Sequence, residues 1–168
     1  DLWDEEDNFY YDVIHTPDEQ NRQLKVRSMV GLIPLFAVEI INSDFIDNLP
    51  DFRNRLEFFR KERPLLSSLV AKWSEDGVEH RRLLSIMRGF RMKKVLERMV
   101  DESEFLSDYG IRARSEYREK HPYIFEIEDM KLSVTYLPGE SDSSMFGGNS
   151  NWRGPIWFPV NYLILESL

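Results

Sequence analysis

The sequence predicts a mainly α-helical protein with short β-hairpins in the connections between helices. Apolar residues recur with a helical period in several segments, and short stretches rich in β-branched and aromatic residues lie between them. The main helical segments are residues 28–42, 51–63, 91–105 and 160–168. No internal repeat or interdomain linker interrupts the pattern, so residues 1–168 are treated as a single segment of one domain.

Composition limits the classes of protein that the chain can represent. Of the 168 residues 42% are hydrophobic, which is enough for a core, and the net charge of −8 disfavours bulk nucleic-acid binding. The lack of cysteine excludes disulfides, thiolate zinc sites and a thiol nucleophile. No apolar run reaches the length of a transmembrane helix. We expect a cytoplasmic protein with no cofactor and no nucleic-acid or membrane partner.

The N-terminal part predicts a β-hairpin that follows an acidic turn. Residues 9–14 and 23–26 are rich in strand formers, and the segment between them is rich in turn residues. The acidic residues between Asp1 and Asp7 are explained as a solvated turn. No metal site is expected there, because the spaced oxygen ligands and glycine turn that a hard cation needs are absent.

The next segment, residues 28–42, predicts a largely buried helix. Its apolar residues follow the helical period and Glu39 is its only charged residue. Pro34 lies inside the pattern and is expected to kink the helix or to mark its start.

Two further helices are predicted between Asp51 and Trp73. Residues 51–63 form the first, which Pro64 ends, and residues 65–73 form a short second one. The side chains expected to point inward from the first are Phe52, Leu56, Phe58 and Phe59.

The second half of the chain predicts a loop, a helix and two strands. Residues 78–90 are interpreted as a loop, and residues 91–105 as a helix with one apolar face. The charge of +6 over residues 81–98 is interpreted as a solvated face, with nucleic-acid binding as a weak alternative because aromatic residues do not interleave it. Residues 123–127 and 132–136 alternate and predict two strands.

The most distinctive stretch, residues 145–162, places polar and aromatic side chains before an apolar segment. Two glycines permit a tight turn, Trp152 and Trp157 flank Arg153, and Gly154-Pro155 predicts the start of a buried helix. This combination suits a sugar, because indole covers the apolar face of a pyranose while Arg and Asn bond adjacent hydroxyls. A packed loop with Trp in the core and Arg in an ion pair remains the alternative.

Three motifs in this order resemble glycoside hydrolase family 63, which contains processing α-glucosidases and bacterial relatives acting on glucosides and glycerate glycosides. The resemblance extends over nearly the whole chain. The motifs are Leu2-Trp3-Asp4-Glu5-Glu6-Asp7-Asn8-Phe9-Tyr10-Tyr11-Asp12, Val26-Arg27-Ser28-Met29-Val30-Gly31-Leu32-Ile33-Pro34-Leu35-Phe36, and Asn151-Trp152-Arg153-Gly154-Pro155-Ile156-Trp157 with Asn161-Tyr162.

The resemblance implies a fold and a reaction. The fold would be part of an (α/α)6 barrel, a six-hairpin toroid that needs a considerably longer chain, so we expect a fragment of a larger catalytic domain. The reaction would be the inverting hydrolysis of α-glycosidic bonds by a carboxylic acid and a carboxylate base. By the family's arrangement both catalytic residues lie outside this chain, which would contribute the sugar-binding wall.

The resemblance also implies which residues bind an oligosaccharide or small α-glycoside. The residues expected to line the subsite are Asn151, Trp152, Arg153, Gly154, Trp157 and Asn161, and those expected to rim the pocket are Trp3, Asp4 and Asp12. The isolated chain is expected to be inactive and to self-associate through exposed helix faces. The alternatives are a non-catalytic carbohydrate-binding module and a structural helical domain. The dispersed histidines His15, His80 and His121 predict neither a metal site nor a Ser-His-Asp arrangement.

Overall fold

The computed structural model describes residues 2–16, 21–68, 77–127, 129–138 and 156–168. It is 42% helical and 29% strand, and the strands in these ranges form five two-stranded antiparallel sheets. The predicted mainly α-helical fold, part of an (α/α)6 barrel, is therefore wrong. The short strand-forming stretches between the helices pair locally into hairpins and make up a large share of the structure, where we expected only connections.

The chain divides into two units. The first comprises Asp1–Ile33, Lys93–Glu166 and Leu168, and the second comprises Pro34–Met92 and Ser167. The strands of the described ranges are β1 (Trp3–Asp4), β2 (Phe9–Tyr10), β3 (Asp12–His15), β4 (Asn21–Leu24), β5 (Val38–Asn42), β6 (Arg81–Ser85), β7 (Leu106–Ser107), β8 (Gly110–Ile111), β9 (Tyr123–Ile127) and β10 (Met130–Val134). The helices there are α1 (Ser43–Asp47), α2 (Pro50–Glu62), α3 (Pro64–Ser67), α4 (Gly89–Met99), α5 (Tyr117–Lys120) and α6 (Phe158–Ser167), with 3₁₀ helices at Met29–Phe36 and Val78–His80. None of these helices is long and apolar enough to cross a membrane.

The described residues of the first unit form four hairpins, and two of them were predicted. Strand β3 pairs with β4 so that Asp12 lies opposite Leu24, which confirms the N-terminal hairpin. Strands β9 and β10 pair with Phe125 opposite Leu132, which confirms the alternating segments 123–127 and 132–136 apart from the earlier start of β10. The other two pairs are β1 with β2 and β7 with β8.

Aromatic stacking forms the centre of the first unit's core. The rings of Phe9 and Phe105 stack with centroids 5.7 Å apart, and both side chains are fully buried together with Leu32 and Val95. Gly31 lies against this pair, since a Cβ atom there would come within 2.5 Å of the Tyr10 carbonyl oxygen. Only glycine permits so close an approach of two backbone segments.

The final helix is buried on one face only and exposes apolar side chains on the other, so the prediction of a buried helix over residues 160–168 is partly wrong. Helix α6 buries Val160 and Ile164, which are four residues apart and share a face. Leu165 points the other way and is 72% exposed. An apolar composition therefore misled us about which faces of this helix are covered.

Helix α4 ends earlier than predicted. Residues 91–105 were expected to be helical, but α4 stops at Met99. The Asp101 carboxylate accepts hydrogen bonds from the backbone N–H and the hydroxyl of Ser103, at 2.8 and 2.6 Å. Such side-chain to backbone bonds compete with the helical pattern and favour a turn.

The helix predicted over residues 28–42, a segment that begins in the first unit and ends in the second, does not form. Its first part belongs to the 3₁₀ helix Met29–Phe36 and its last part is strand β5. Pro34 removes a backbone donor, and the β-branched residues Val38, Ile40 and Ile41 favour a strand.

The partner of β5 is strand β6, which lies in the segment that we interpreted as a loop. Ile40 lies opposite Leu83 in this antiparallel pair. From Arg81 to Leu84 the side chains alternate between exposed and half-buried, as in a strand with one covered face, so the loop interpretation of this part was wrong.

Helix α2 agrees closely with the predicted segment 51–63, but its burial does not. None of its residues is buried, and Phe58 is 67% exposed, so the inward orientation predicted for its apolar residues is wrong. The third predicted helix, residues 65–73, is represented in the described ranges by α3, and its residues 69–73 lie outside those ranges.

Candidate functional site

A pocket of about 430 Å³ opens in the first unit beside Ile156, which lies two residues before the start of α6. Pockets of roughly 300–1,000 Å³ are the usual size for small-molecule sites. We call it the α6 pocket. It is lined by Glu102, Leu106, Ser107, Asp108, Tyr109, Arg112, Tyr136, Pro138 and Ile156. Its lining combines two carboxylates, two phenol rings and a guanidinium with a small apolar surface.

The tight turn between β7 and β8 carries the most exposed part of this lining. The Ser107 hydroxyl donates to the Gly110 carbonyl oxygen at 2.7 Å and accepts from the Tyr109 backbone N–H at 3.3 Å. Gly110 has φ of +128°, a conformation that favours glycine. The turn thereby holds Asp108 and Tyr109 at its tip, where Tyr109 is 87% exposed.

Arg112 is the structural centre of the pocket wall. Its guanidinium donates to the carbonyl oxygens of Glu102, at 2.8 Å, and Leu106, and pairs with the Glu116 carboxylate at 2.5 Å. The same group lies 5.9 Å from the centre of the Tyr136 ring. Arg112 therefore fixes the backbone that carries the pocket's acidic side chains.

Asn161 connects α6 to this wall. Its amide oxygen accepts from the Ile111 backbone N–H at 2.6 Å, and its amide nitrogen donates to the carbonyl oxygens of Ile111 and Trp157 at 3.0 and 3.1 Å. The backbone of Ile156 also pairs with that of Arg112. The start of α6 is thus attached to β8 at the base of the pocket.

Only some of the predicted binding residues lie within the described ranges. Asn151, Trp152, Arg153 and Gly154 lie outside the described residues, so their roles stay predictions. Trp157 caps the N-terminus of α6 and receives the Asn161 bond described above. The described geometry gives Asn161 a role in holding the helix, which the sequence did not indicate.

The predicted rim residues Trp3, Asp4 and Asp12 lie elsewhere in the first unit, and none of them lines the α6 pocket. Trp3 is 4% exposed and packs edge-on against Tyr10 at 4.8 Å. Asp4 pairs with Lys25 at 2.7 Å, and Asp12 lies in β3 opposite Leu24.

A second, larger concavity of about 750 Å³ lies along the β3–β4 hairpin. It is lined by Leu2, Val13, His15, Asn21, Gln23, Lys25 and Tyr123. Lys25 in this lining pairs with Asp4 at 2.7 Å. Two other lining residues, Leu2 and Val13, adjoin the predicted rim residues Trp3 and Asp12 along the chain.

Sequence reasoning missed a group of buried charged side chains in the first unit, which we call the Arg27 cluster. Arg27 pairs with Asp7 at 2.7 Å and with Glu104 at 2.9 Å. Glu104 also pairs with Arg98 and accepts from the Ser115 hydroxyl. The members are Asp7, Tyr11, Arg27, Arg98, Glu104 and Ser115. Because it holds Glu104, between two residues of the pocket lining, the cluster supports the pocket wall from behind.

The electrostatics of the Arg27 cluster favour an ionised Asp7 carboxyl and a neutral Tyr11 hydroxyl. Burial raises the pKa of the Asp7 carboxyl, but hydrogen bonds from Arg27 and Tyr11 outweigh it, so the pKa lies below its usual value. Burial, above all, raises the pKa of the Tyr11 hydroxyl, which donates to Asp7 at 2.9 Å. Arg27 and Glu104 are 77 residues apart, so no local spacing in the sequence could have linked them.

Metal chemistry has no evident ligand set in this part of the chain. Within the described ranges no group of three or more His, Asp or Glu side chains could hold a metal ion.

Comparison with known proteins gives one long match and one short one. The chain is 49% identical over 168 residues to the Saccharomyces cerevisiae protein named "Uncharacterized protein YMR196W", which covers 99% of this chain and 15% of that protein. It is 33% identical over 78 residues to a "Probable mannosyl-oligosaccharide glucosidase" from Schizosaccharomyces pombe, which covers 46% of this chain and 7% of that protein. No protein-family model matches the chain.

The chain corresponds to a small part of the relatives that it matches. It spans about 15% of the length of the Saccharomyces cerevisiae relative. The shorter match relates part of the chain to a protein described as a glucosidase, and the assignment to glycoside hydrolase family 63 stays a prediction.

Proposed function

We propose that this chain contributes the sugar-binding wall of an inverting glycoside hydrolase that acts on α-glycosidic bonds. The α6 pocket is the binding surface in this proposal, and the catalytic acid and base are supplied by polypeptide outside residues 1–168. The partial similarity to a probable mannosyl-oligosaccharide glucosidase supports the reaction class.

The observation that carries the proposal is the position of the α6 pocket. Ile156 lines it and lies two residues after the predicted sugar-binding residues 151–154 in the chain. The chemistry of the lining is also suited to a sugar. The phenol rings of Tyr109 and Tyr136 offer apolar faces, and Glu102 and Asp108 offer acceptors for hydroxyl donors.

The attachment of α6 supports the same proposal. The Asn161 amide and the Ile156 backbone both bind the β8 region, so the chain just after residues 151–155 is fixed beside the pocket wall. Binding residues act best when a rigid element positions them. Arg153 in this arrangement bonds sugar hydroxyls, and Trp152 or Trp157 covers the apolar face.

The first experiment measures hydrolysis of an α-glucoside by the full-length protein and by its Arg153→Ala variant. We expect turnover by the parent and a loss of at least about a hundredfold in kcat/KM in the variant, because charged hydrogen bonds to a positioned substrate contribute roughly 3 kcal/mol. Unchanged turnover in Arg153→Ala would contradict the sugar-binding role proposed for residues 151–154.

A matched pair of tyrosine variants tests the pocket itself. Tyr109→Ala removes an exposed ring from the pocket lining, whereas Tyr162→Ala removes an exposed ring of α6 that does not line it. We expect KM to rise about three- to tenfold in the first variant only, since a ring stacked on a sugar contributes about 1 kcal/mol. Equal effects of the two variants would contradict the pocket assignment. Binding without hydrolysis in the parent would instead favour a non-catalytic carbohydrate-binding module.

A further inference from the structure

The side chain of Asn161 binds the backbone of Ile111 as a neighbouring strand would. Its amide oxygen accepts from the Ile111 backbone N–H at 2.6 Å, and its amide nitrogen donates to the Ile111 carbonyl oxygen at 3.0 Å. A hydrogen-bonded pair in an antiparallel sheet exchanges the same two bonds. The amide nitrogen also donates at 3.1 Å to the carbonyl oxygen of Trp157, which caps α6. We call these three hydrogen bonds the Asn161 clasp.

The Asn161 clasp uses both donors of the amide. A side-chain amide carries two N–H groups, and the carbonyl oxygens of Ile111 and Trp157 accept one each. The partners fix the orientation of the amide, because only its oxygen can accept from the Ile111 N–H. Asn161 therefore has no N–H group left for a sugar hydroxyl, and its geometry suits the attachment of α6 instead.

The strand side of the clasp leaves room for this amide. Gly110 precedes Ile111, and its φ of +128° favours glycine. A Cβ atom at this position would lie 2.8 Å from the Asn161 amide oxygen, so any other residue would displace the amide or the turn. The backbone of Arg112, on the other side of Ile111, pairs with that of Ile156. Two successive attachments therefore hold the chain before α6 to β8 and the residue after it.

Building on the proposed function, we infer that Asn161 is a positioning residue, which holds residues 151–154 at the pocket wall through the Asn161 clasp and does not itself donate to the sugar. The clasp binds the chain at Trp157, only three residues after Gly154. Misplacement of a binding group by about 1 Å can cost about a hundredfold in rate. The attachment at Trp157 thus governs how well Arg153 meets its ligand.

Two variants of the full-length protein open the clasp from its two sides. Asn161→Asp keeps the size of the side chain, but its carboxylate cannot donate to the carbonyl oxygens of Ile111 and Trp157. We expect kcat/KM for an α-glucoside to fall about ten- to hundredfold, with a rise in KM. Gly110→Ala should also raise KM, because its methyl group displaces the Asn161 amide although it removes no side chain that could touch a ligand.

Val160→Ala is the matched control for a merely structural role. Val160 is buried in α6 next to Asn161 and does not line the pocket. The substitution should lower Tm through lost packing and leave KM unchanged, since a loss of folded protein lowers only the apparent kcat. A rise in KM as large as that of Asn161→Asp would assign the effect to general loosening of α6 and would overturn the inference. An unchanged KM in Asn161→Asp would overturn it as well.

The double variant of Asn161→Asp with Arg153→Ala separates positioning from direct contact. If Asn161 acts through residues 151–154, adding Asn161→Asp to Arg153→Ala should lower kcat/KM by no more than about threefold further. Losses that multiply in full would mean that Asn161 acts on the sugar independently, which would overturn the inference and leave the proposed function intact. Unchanged turnover in Arg153→Ala alone would overturn the proposed function, and the inference with it.

Discussion

The two units of this chain cover their apolar side chains to different extents. In the first unit, Phe9 and Phe105 are fully buried and stack on each other. In the second unit, helix α2 has no buried residue, although its residues Phe52, Leu56 and Phe59 recur with a helical period. The buried apolar side chains of that unit include Leu35, Ile46 and Met87. A helical apolar period thus predicts that a segment is helical, but does not predict that its apolar face is covered.

Charged side chains differ between the units in the same way. Arg27, Glu104 and their neighbours are mostly buried and share hydrogen bonds in the first unit. The Arg53–Asp47 pair of the second unit spans 3.6 Å between two exposed side chains. Exposed pairs contribute about 0–1 kcal/mol, whereas removing one partner of a buried pair costs about 3–5 kcal/mol. We therefore expect mutations to be far more damaging in the first unit.

The largest expected effect compares two phenylalanines. Phe9→Ala should destabilise the first unit by about 3–5 kcal/mol, because it leaves a cavity against Phe105. Phe58→Ala should change the stability of the second unit by less than about 0.5 kcal/mol, because that ring is mostly in water already. Native-state hydrogen exchange measures the free energy of opening of both units in each variant. A similar loss of stability in the two variants would show that the difference in burial between Phe9 and Phe58 does not produce a difference in stability.

A pair of glycines sharpens the comparison with a smaller effect. Gly31→Ala should destabilise the first unit by about 1–3 kcal/mol, because the new methyl group meets the Phe9 ring and the Tyr10 carbonyl. Gly89→Ala is the control, since a Cβ atom there meets nothing within 4 Å at the start of α4. It should be neutral or stabilising by up to about 1 kcal/mol. The change in the urea midpoint distinguishes the two, and a tolerated Gly31→Ala would argue against the close packing.

The sequence predicted local elements well where one signal dominated. The alternating residues 123–127 predicted strand β9 with its observed bounds. The helical apolar period and Pro64 predicted the bounds of α2 to within one residue. The prediction was wrong for residues 28–42, where an apolar stripe suggested a helix while Pro34 and three β-branched residues favoured a 3₁₀ helix followed by a strand. The helix was predicted from the spacing of the apolar residues alone, without regard to their backbone preferences.

The candidate site was harder to predict because it depends on distant contacts. The expectation that Asn161 faces a ligand stays a prediction, and the sequence did not indicate that its amide bonds Ile111, which is 50 residues away. The α6 pocket is built from Glu102, Asp108 and Tyr136, none of which carried a local signal for binding. Arg27 stood inside a motif, yet its partner Glu104 was interpreted as part of a helix. Long-range pairing decides each of these roles, and no residue spacing along the chain encodes it.

The smallest expected effect is the pH dependence of the first unit. The hydrogen bonds from Arg27 and Tyr11 keep the pKa of Asp7 below its unfolded value of about 3.9, even though burial raises it. The folded form therefore binds a proton at Asp7 more weakly than the unfolded form does. Its contribution to stability is complete above about pH 4 and is lost as the pH falls through the lower pKa of the folded state.

Asp7→Asn tests this dependence directly. The variant should be less stable than the parent at about pH 7, and the difference between them should shrink at about pH 3, because Asp7 is then increasingly protonated in both states of the parent. The pKa of Asp4 is also lowered, so some acid sensitivity should persist in the variant. Asp47→Asn in the second unit is the matched control and should leave the pH dependence of the first unit unchanged. A constant stability difference between Asp7→Asn and its parent over this range would mean that the Arg27 cluster does not depend on the ionisation of Asp7.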